Sequence, residues 1–322
     1  MRVSFKSYLF ILVAVLPLTG CLFRTHEVQK SVSTASLRSS TLEQLEQAVN
    51  GNAERLQSVL ANIDIDTSVS RQKKGKANEY KVTDYKEISG YLLIRKPEML
   101  RMWGLVPVVR NRLFDMVSNG KTFQLSVPPT NKFYVGANQM SRPSANPLEN
   151  LRPQHILDAL LLKPIDPQTE IAVLEQGTEM VKDEKSHKDL EQADYEVVVV
   201  HHEENVWYLS RKIIFSRTDL LPHRQLIYNR MGQVITDAEY AKFTNDNGIL
   251  FPALVQIQRP IENYWIQISI TKLRLNQPLK DDQFALNQPP GSQLINMDQK
   301  NANANALTGQ AGVTEEKPKT EH

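Results

Sequence analysis

One cysteine, Cys21, stands among 322 residues. A disulfide needs two thiols and a Cys-rich zinc site needs several, so neither forms within the chain. Aromatic residues are scarce, at 7%. An excess of one charge is missing too: Lys and Arg total 38 against 36 Asp and Glu, and Arg2 and Lys6 lie in an acid-free stretch of residues 1–20. Beyond that stretch the charges balance. A chain with no net field and no long basic stripe has no means of collecting polyanions, so nucleic acid is not an expected partner. The apolar run Tyr8–Leu16 falls short of the roughly 20 residues that cross a bilayer. Motifs of catalysis are missing as well. Neither G-x-S-x-G nor H-E-x-x-H occurs. Gly120-Lys121-Thr122 imitates the end of a phosphate-binding loop, but Asp115 stands where its first glycine belongs. In His201-His202-Glu203-Glu204 adjacent histidines on a strand would face opposite ways, so no metal site is expected. No nucleophile-and-base set is nameable, and the protein is not expected to be an enzyme.

What is present is a core-forming composition, 41% hydrophobic and 23% charged, with a clear order along the chain. A basic start, a short apolar run and Pro17-Leu18-Thr19-Gly20-Cys21 have the layout of a secretory signal. Residues 22–40 turn to Ser, Thr, Arg and Lys, which reads as a flexible tether of about 25 Å reach. Leu42, Leu45, Val49, Ala53, Leu56, Leu60 and Ile63 then recur at helical steps behind a Thr41 N-cap, with Gly51 weakening the middle.

After Asp64 the pattern alternates. Ile88, Gly90, Leu92 and Ile94 share one face; Trp207, Leu209, Ile213 and Phe215 alternate with polar neighbours, as do Tyr264, Ile266, Ile268 and Ile270. Turn signals at Asn119-Gly120, Glu203-Glu204-Asn205, Met231-Gly232, Asn247-Gly248 and Glu262-Asn263 make the connections short and the strands an antiparallel meander. A second helix is expected over residues 153–162, started by Pro153 and stopped by Pro164. Residues 180–191 read as a charged, exposed loop. Asp281-Asp282 reads as the solvent end of a strand, and 298–322, with its Asn/Ala alternation, as a tail without core. A large one-sided sheet must cover its apolar face, and curling around the helices does so; whatever remains uncovered is an apolar cavity.

Two resemblances add to this reading. Leu18-Thr19-Gly20-Cys21 resembles the lipobox of bacterial lipoproteins, which implies cleavage between Gly20 and Cys21 and a diacylglycerol plus an N-acyl chain such as palmitate on Cys21, with no other cofactor. Several chains anchor a protein stably, at about 0.8 kcal/mol per buried methylene. Leu22 rather than Asp follows the cysteine, which in such lipoproteins implies the periplasmic face of the outer membrane. Residues 90–103, Gly-Tyr-Leu-Leu-Ile-Arg-Lys-Pro-Glu-Met-Leu-Arg-Met-Trp, together with the 117–125 hairpin and Phe284-Ala285-Leu286-Asn287-Gln288-Pro289-Pro290-Gly291 as a closing strand, resemble the LolA and LolB lipoprotein carrier and receptor family over residues 42–291.

That resemblance implies an unclosed antiparallel β half-barrel, mainly β, with a helical lid over a cavity that accepts acyl chains. The boundaries are 1–20 signal, 21–40 acylated cysteine and tether, 41–297 lipid-binding domain and 298–322 tail, with extra material over residues 136–191. Outer-membrane lipid, acyl chains of lipoproteins or phospholipids, and a periplasmic carrier protein are the implied partners. Lys96 stands where the carrier has an arginine that latches the lid, and lysine lacks that planar fork. The segment Trp103-Gly104-Leu105-Val106-Pro107-Val108-Val109 is either the counterpart of the receptor's protruding loop or a buried strand. Trp207, Phe215 and Ile268 either line the cavity or pack the core. The alternative function is a non-enzymatic envelope scaffold or sensor on the same fold.

Overall fold

The computed structural model describes residues 32–72, 79–139, 150–182 and 189–298. The signal, the Gly20-Cys21 junction and all but the first residue of the expected tail lie outside them. The described chain forms two units. In the smaller one, residues 32–34, 179–182 and 189–192, Val32 bridges Glu191 in parallel and the Ser33 amide donates to the Glu191 carbonyl at 2.9 Å. The larger unit, residues 35–178 and 193–298, carries the fold described below.

Two α-helices, α1 (Leu42–Arg55) and α2 (Pro153–Leu160), accompany β1 (Ser58–Gln72), β2 (Tyr80–Arg95), β3 (Met99–Leu105), β4 (Arg112–Ser118), β5 (Thr122–Val127), β6 (Lys132–Ala137), β7 (Glu170–Lys182), β8 (Asp189–Glu203), β9 (Val206–Ser216), β10 (Pro222–Tyr228), β11 (Val234–Asp246), β12 (Ile249–Arg259), β13 (Tyr264–Leu275) and β14 (Gln293–Asn296). They make one 14-stranded sheet in the order β14-β6-β5-β4-β3-β2-β1-β13-β12-β11-β10-β9-β8-β7, whose ends do not pair with each other. The architecture is an unclosed antiparallel half-barrel, and β14 alone among the pairs described runs parallel to its neighbour, β6.

The expected turns are where the chain reverses. Glu204-Asn205 and Asn247-Gly248 each place two consecutive residues at positive φ, the geometry that matches the twist of hairpin strands. The Asn119 side chain accepts from the amides of Lys121 and Thr122 at 3.0 and 2.8 Å, closing the β4–β5 turn. Both halves of the sheet place alternate side chains against α2: Leu92, Ile94, Met102 and Met116 from one, Tyr240, Val255, Ile257 and Ile266 from the other. A second cluster joins Leu45 and Val49 of α1 to Val197, Val199, Ile213 and Phe215.

Several boundaries differ from the sequence reading. Helix α1 ends at Arg55 rather than Ile63, because Val59, Ala61, Ile63 and Ile65 also form a period-two face, and burial of that face to within 5% exposure in the sheet outweighs helical spacing. Its start is as expected, with Thr41 and Gln44 forming a capping box. The end of the tether is docked: the Arg38 amide donates to the Arg217 carbonyl at 2.7 Å and the Ser40 amide to the Tyr195 hydroxyl at 3.4 Å. Helix α2 stops at Leu160, two residues early.

Within the expected charged loop, residues 180–182 and 189–191 are strand, since alternating charges still pair backbone to backbone; 183–188 lie outside the described residues. Asp281-Asp282 opens a 3-10 turn, where Asp281 pairs with Arg95 at 2.6 Å. The closing strand starts at Gln293 rather than Phe284, because Phe284 ends the 3-10 turn and is buried against Leu93 and Leu279. Asp298 belongs to the fold rather than the tail, since its carboxylate accepts from the Ala137 amide at 3.0 Å.

Gly51 lies in α1 with nothing within 4 Å of an added Cβ. Gly51→Ala is therefore expected to stabilise the protein by about 1 kcal/mol, read as a raised urea midpoint at unchanged slope.

Candidate functional site

The concave face beneath the helices is the candidate site, and polar side chains hold its roof. Two asparagines on α1 act as strand substitutes. Asn52 donates to the Leu250 carbonyl at 3.0 Å and accepts from the Leu250 amide at 2.8 Å; Asn50 does the same with Ile165 at 3.1 and 2.7 Å. Lys96, at the β2–β3 corner before cis-Pro97, donates from Nζ to the Ala53 carbonyl in the last turn of α1. Burial lowers its pKa, against the opposing charge of Glu54. Removing a charged donor from a helix end costs on the order of 1–2 kcal/mol when the ammonium is partly solvated. Lys96→Met is thus expected to loosen α1, seen as faster amide exchange there than in α2.

Helix α2 is held from the other side. Tyr240 donates to the Ala159 carbonyl at 2.6 Å, and Gln225 to the Asp158 carbonyl at 3.3 Å. At its first turn His155 is buried, with Nε2 at 3.2 Å from Arg259 Nη2 and Nδ1 at 2.8 Å from the Tyr264 hydroxyl. A guanidinium only donates, so Nε2 accepts, and Nδ1 carries the proton toward Tyr264. Burial, then Arg259, then Arg152 hold the His155 pKa well below its usual value. Burial pushes the Tyr264 and Tyr240 hydroxyls far up, so both stay neutral. Arg259 forks onto Glu262 at 3.1 and 2.6 Å, the side chains 5% and 7% exposed.

Among the described residues, spaces open around the helices. The first, of about 360 Å³, lies between β1–β6 and the start of α2, walled by Ile65, Ile88, Met102, Phe114, Met116, Phe123, Leu125 and Ile266, with Thr67, Thr130, Tyr134, Arg152 and Met297 also in its lining. The second, of about 140 Å³, lies under α1 among Val49, Leu56, Leu161, Phe215, Phe243 and Phe251. The third is a polar groove of about 630 Å³ between α2 and the β2–β3 corner, lined by Lys96, Glu98, Gln154, Asp158 and Lys163. The first falls in the volume range of small-ligand pockets, about 300–1,000 Å³.

The residues singled out from sequence divide sharply. Lys96 and Phe215 line the second space. Ile268 faces inward but is fully packed in the core, and its neighbour one repeat back, Ile266, lines the first space. Trp103 is on the other face of β3 from Met102: it stacks on Tyr91 at 4.9 Å, and Arg101 and Arg112 lie over its ring. Those arginines converge on buried Asp115. Trp207 is half exposed, stacked on His202 at 4.5 Å in the β8–β9 hairpin. Leu105 ends β3, half-buried, where the β3–β4 register shifts. The segment after it is a loop: Val108 is 97% exposed at φ 69° and Val109 63% exposed. Among the described residues no group of three or more His, Cys, Asp and Glu is placed to hold a metal ion. An apolar cavity was expected from sequence, but the residues that line the first space and the two asparagine clamps were not named there; Met102 and Met116 prove to be directly opposed in register.

No family model and no curated protein matches the chain. Among solved structures it is similar to a LolA superfamily protein from Nitrosomonas europaea (12% identity, 77% of this chain and 99% of that one, TM-score 0.43). It is also similar to a putative outer membrane lipoprotein-sorting protein domain from Vibrio parahaemolyticus (9%, 75% and 94%, 0.41), and to a DUF1329 family protein from Desulfovibrio piger (14%, 75% and 95%, 0.44). Among the described residues no helix is long and apolar enough to cross a membrane.

Proposed function

We propose that the protein is a lipoprotein anchored through Cys21 to the periplasmic face of the outer membrane, and that it holds acyl chains of lipoproteins or phospholipids on its concave face and assists their localisation, without covalent chemistry. The observation that carries this is the 360 Å³ space, whose wall is mostly methionine, phenylalanine and branched aliphatic side chains, with Thr67, Thr130, Tyr134 and Arg152 among them. Each methylene transferred there from water contributes about 0.8 kcal/mol, so ten give about 8 kcal/mol before ordering costs are subtracted. Thioether walls adapt to differing chains and grip none of them tightly, which suits a protein that must let go.

The β3–β4 loop supplies a place for release. Its backbone is closed by the Val106 amide on the Asn111 carbonyl at 2.7 Å and the Arg110 amide on the Val106 carbonyl at 2.9 Å, which thrusts two valines into solvent. A β-branched residue at positive φ is strained by about 1–3 kcal/mol, and a bilayer surface or a carrier's apolar rim is what such a tip fits. The scaffold or sensor reading is favoured by one observation, the complete burial of Val255, Ile257 and Ile268 beside α2, which leaves that part of the interior already filled.

Native mass spectrometry of the Cys21→Ser mature chain from a bacterial periplasm, with organic extraction, separates the two. Bound phospholipid or acylated peptide, absent from a Leu125→Glu variant that still unfolds cooperatively, is the expected result. A folded chain that stays lipid-free after incubation with acylated peptide would leave the scaffold.

A further inference from the structure

We infer that the groove between α2 and the β2–β3 corner is a head-group site for a zwitterionic phospholipid of the phosphoethanolamine class, with Lys96 receiving the phosphate and Glu98 the ammonium. The inference rests on the reading that the protein takes acyl chains, and it adds a head group and a place apart from the 360 Å³ space. The groove, of about 630 Å³, and the apolar slot under α1, of about 140 Å³, have Lys96, Leu161 and Leu162 in common. A polar trough adjoining a carbon-lined slot has the form of an amphiphile. The slot, with Val49, Leu56, Phe215 and Phe251 in its lining, takes part of an acyl chain, and the trough takes the head.

Charge selects that head. Lys96 donates to the Ala53 carbonyl, which leaves two of its three N–H bonds for a ligand. It forms no ion pair among the described residues, and Glu54 acts on it only through space. Lys163 and Asp158, also in the groove, neutralise each other at 2.9 Å. Glu98 lies two residues beyond Lys96, exposed at the rim with its carboxylate against the Gly120 turn; that carboxylate has neither an ion pair nor a hydrogen bond among the described residues. One cation and one anion are therefore left over in the groove lining. A purely anionic head would be repelled by Glu98 and a purely cationic one by Lys96, whereas a head with both signs meets both. Lysine serves a phosphate as a compact point charge, while a planar carboxylate is better matched by the fork of an arginine. The Gln154 side-chain oxygen, in the same lining, is buried without a donor, and an ammonium entering the groove is a donor of the kind it lacks.

The test uses the secreted Cys21→Ser chain, residues 21–322, and calorimetry at neutral pH with lipids short enough to stay dissolved: dihexanoylphosphatidylethanolamine, dihexanoylphosphatidylcholine and the uncharged dihexanoylglycerol. The phosphatidylethanolamine is expected to bind about tenfold tighter than dihexanoylglycerol, the scale of a charge-assisted contact. It is expected to bind about threefold tighter than the phosphatidylcholine, whose quaternary nitrogen has no N–H to give Glu98 at an exposed rim. Lys96→Gln is expected to remove the first preference and Lys96→Arg to keep most of it, while Glu98→Gln removes the second alone. Loosening of α1 by a Lys96 variant would weaken all three lipids alike, so the ratio of affinities reports the head-group contact. Leu125→Glu, in the wall of the 360 Å³ space, is expected to leave binding of the phosphatidylethanolamine in place.

Equal affinities for the phosphatidylethanolamine and dihexanoylglycerol, a preference that survives Lys96→Gln, or loss of the phospholipid in Leu125→Glu would overturn the inference and leave the acyl-binding reading standing. Equal affinities for the two phospholipids would overturn the ethanolamine assignment. Inorganic phosphate or O-phosphoethanolamine binding as tightly as the lipid would make the groove a site for a soluble phosphate and overturn the lipid assignment. Failure of all three lipids to bind would overturn both readings.

Discussion

Glu262→Gln is expected to lower the unfolding free energy by about 3–5 kcal/mol, because it leaves the Arg259 cation buried without its counter-charge. The glutamate lies two residues before β13 and accepts from Nε and Nη2 of Arg259 at 3.1 and 2.6 Å, while Nη1 donates to Thr236 at 2.5 Å. Glutamine preserves the shape and one acceptor, so the loss reports charge rather than volume. Because Arg259 also donates to His155, the disturbance passes to the first turn of α2. Urea unfolding of the single variant and of Arg259→Met/Glu262→Gln checks it. The double variant is expected to recover most of the loss, since a buried pair replaced by uncharged side chains is often close to neutral. A single-variant loss below about 1 kcal/mol would mean that water reaches the pair and screens it.

The second large effect is on pH. His155 is neutral in the folded protein, with a pKa held well below 6.5 by burial and by the charges of Arg259 and Arg152. Above pH 6.5 neither state binds the proton, and His155 leaves stability unchanged. Below it the unfolded chain takes up a proton that the folded one refuses, so stability falls as pH falls, by up to about 1.4 kcal/mol per pH unit, until the folded pKa is reached. Between pH 6.5 and the folded pKa this group alone therefore makes stability fall as pH falls. His155→Gln is expected to start from a lower baseline and to lack that slope. A slope unchanged in the variant would assign the pH dependence to other groups. The consequence bears on the proposed function, because His155 is a polar contact between α2 and the β12–β13 end of the sheet. Acid is expected to weaken the roof there.

Much of the half-barrel was legible in local pattern. The period-two faces over residues 88–94 and 264–270 are the ones the sheet buries, and Asn-Gly and Glu-Asn turns fall where hairpins reverse, because both signals depend on backbone geometry that neighbouring residues set by themselves. The failures have a common cause. Residues 59–63 satisfy both a helical and a strand period, and only pairing of β1 with β2 and β13 chooses between them. Trp103 and Met102 are adjacent and both apolar, yet one faces the convex side under two arginines and the other faces the 360 Å³ space.

The sequence by itself therefore determined the class of fold, the Thr41 start of the first helix and the exclusion of disulfide and Cys-rich zinc chemistry, all of which follow from residue type and short-range spacing. Tertiary structure alone decided which face is concave, that Lys96 reaches the end of α1, and that Asn50 and Asn52 clamp that helix to distant backbone. Those are contacts between residues 43 to 198 positions apart or choices between two faces of one strand, and the strand period is the same whichever way the sheet curls.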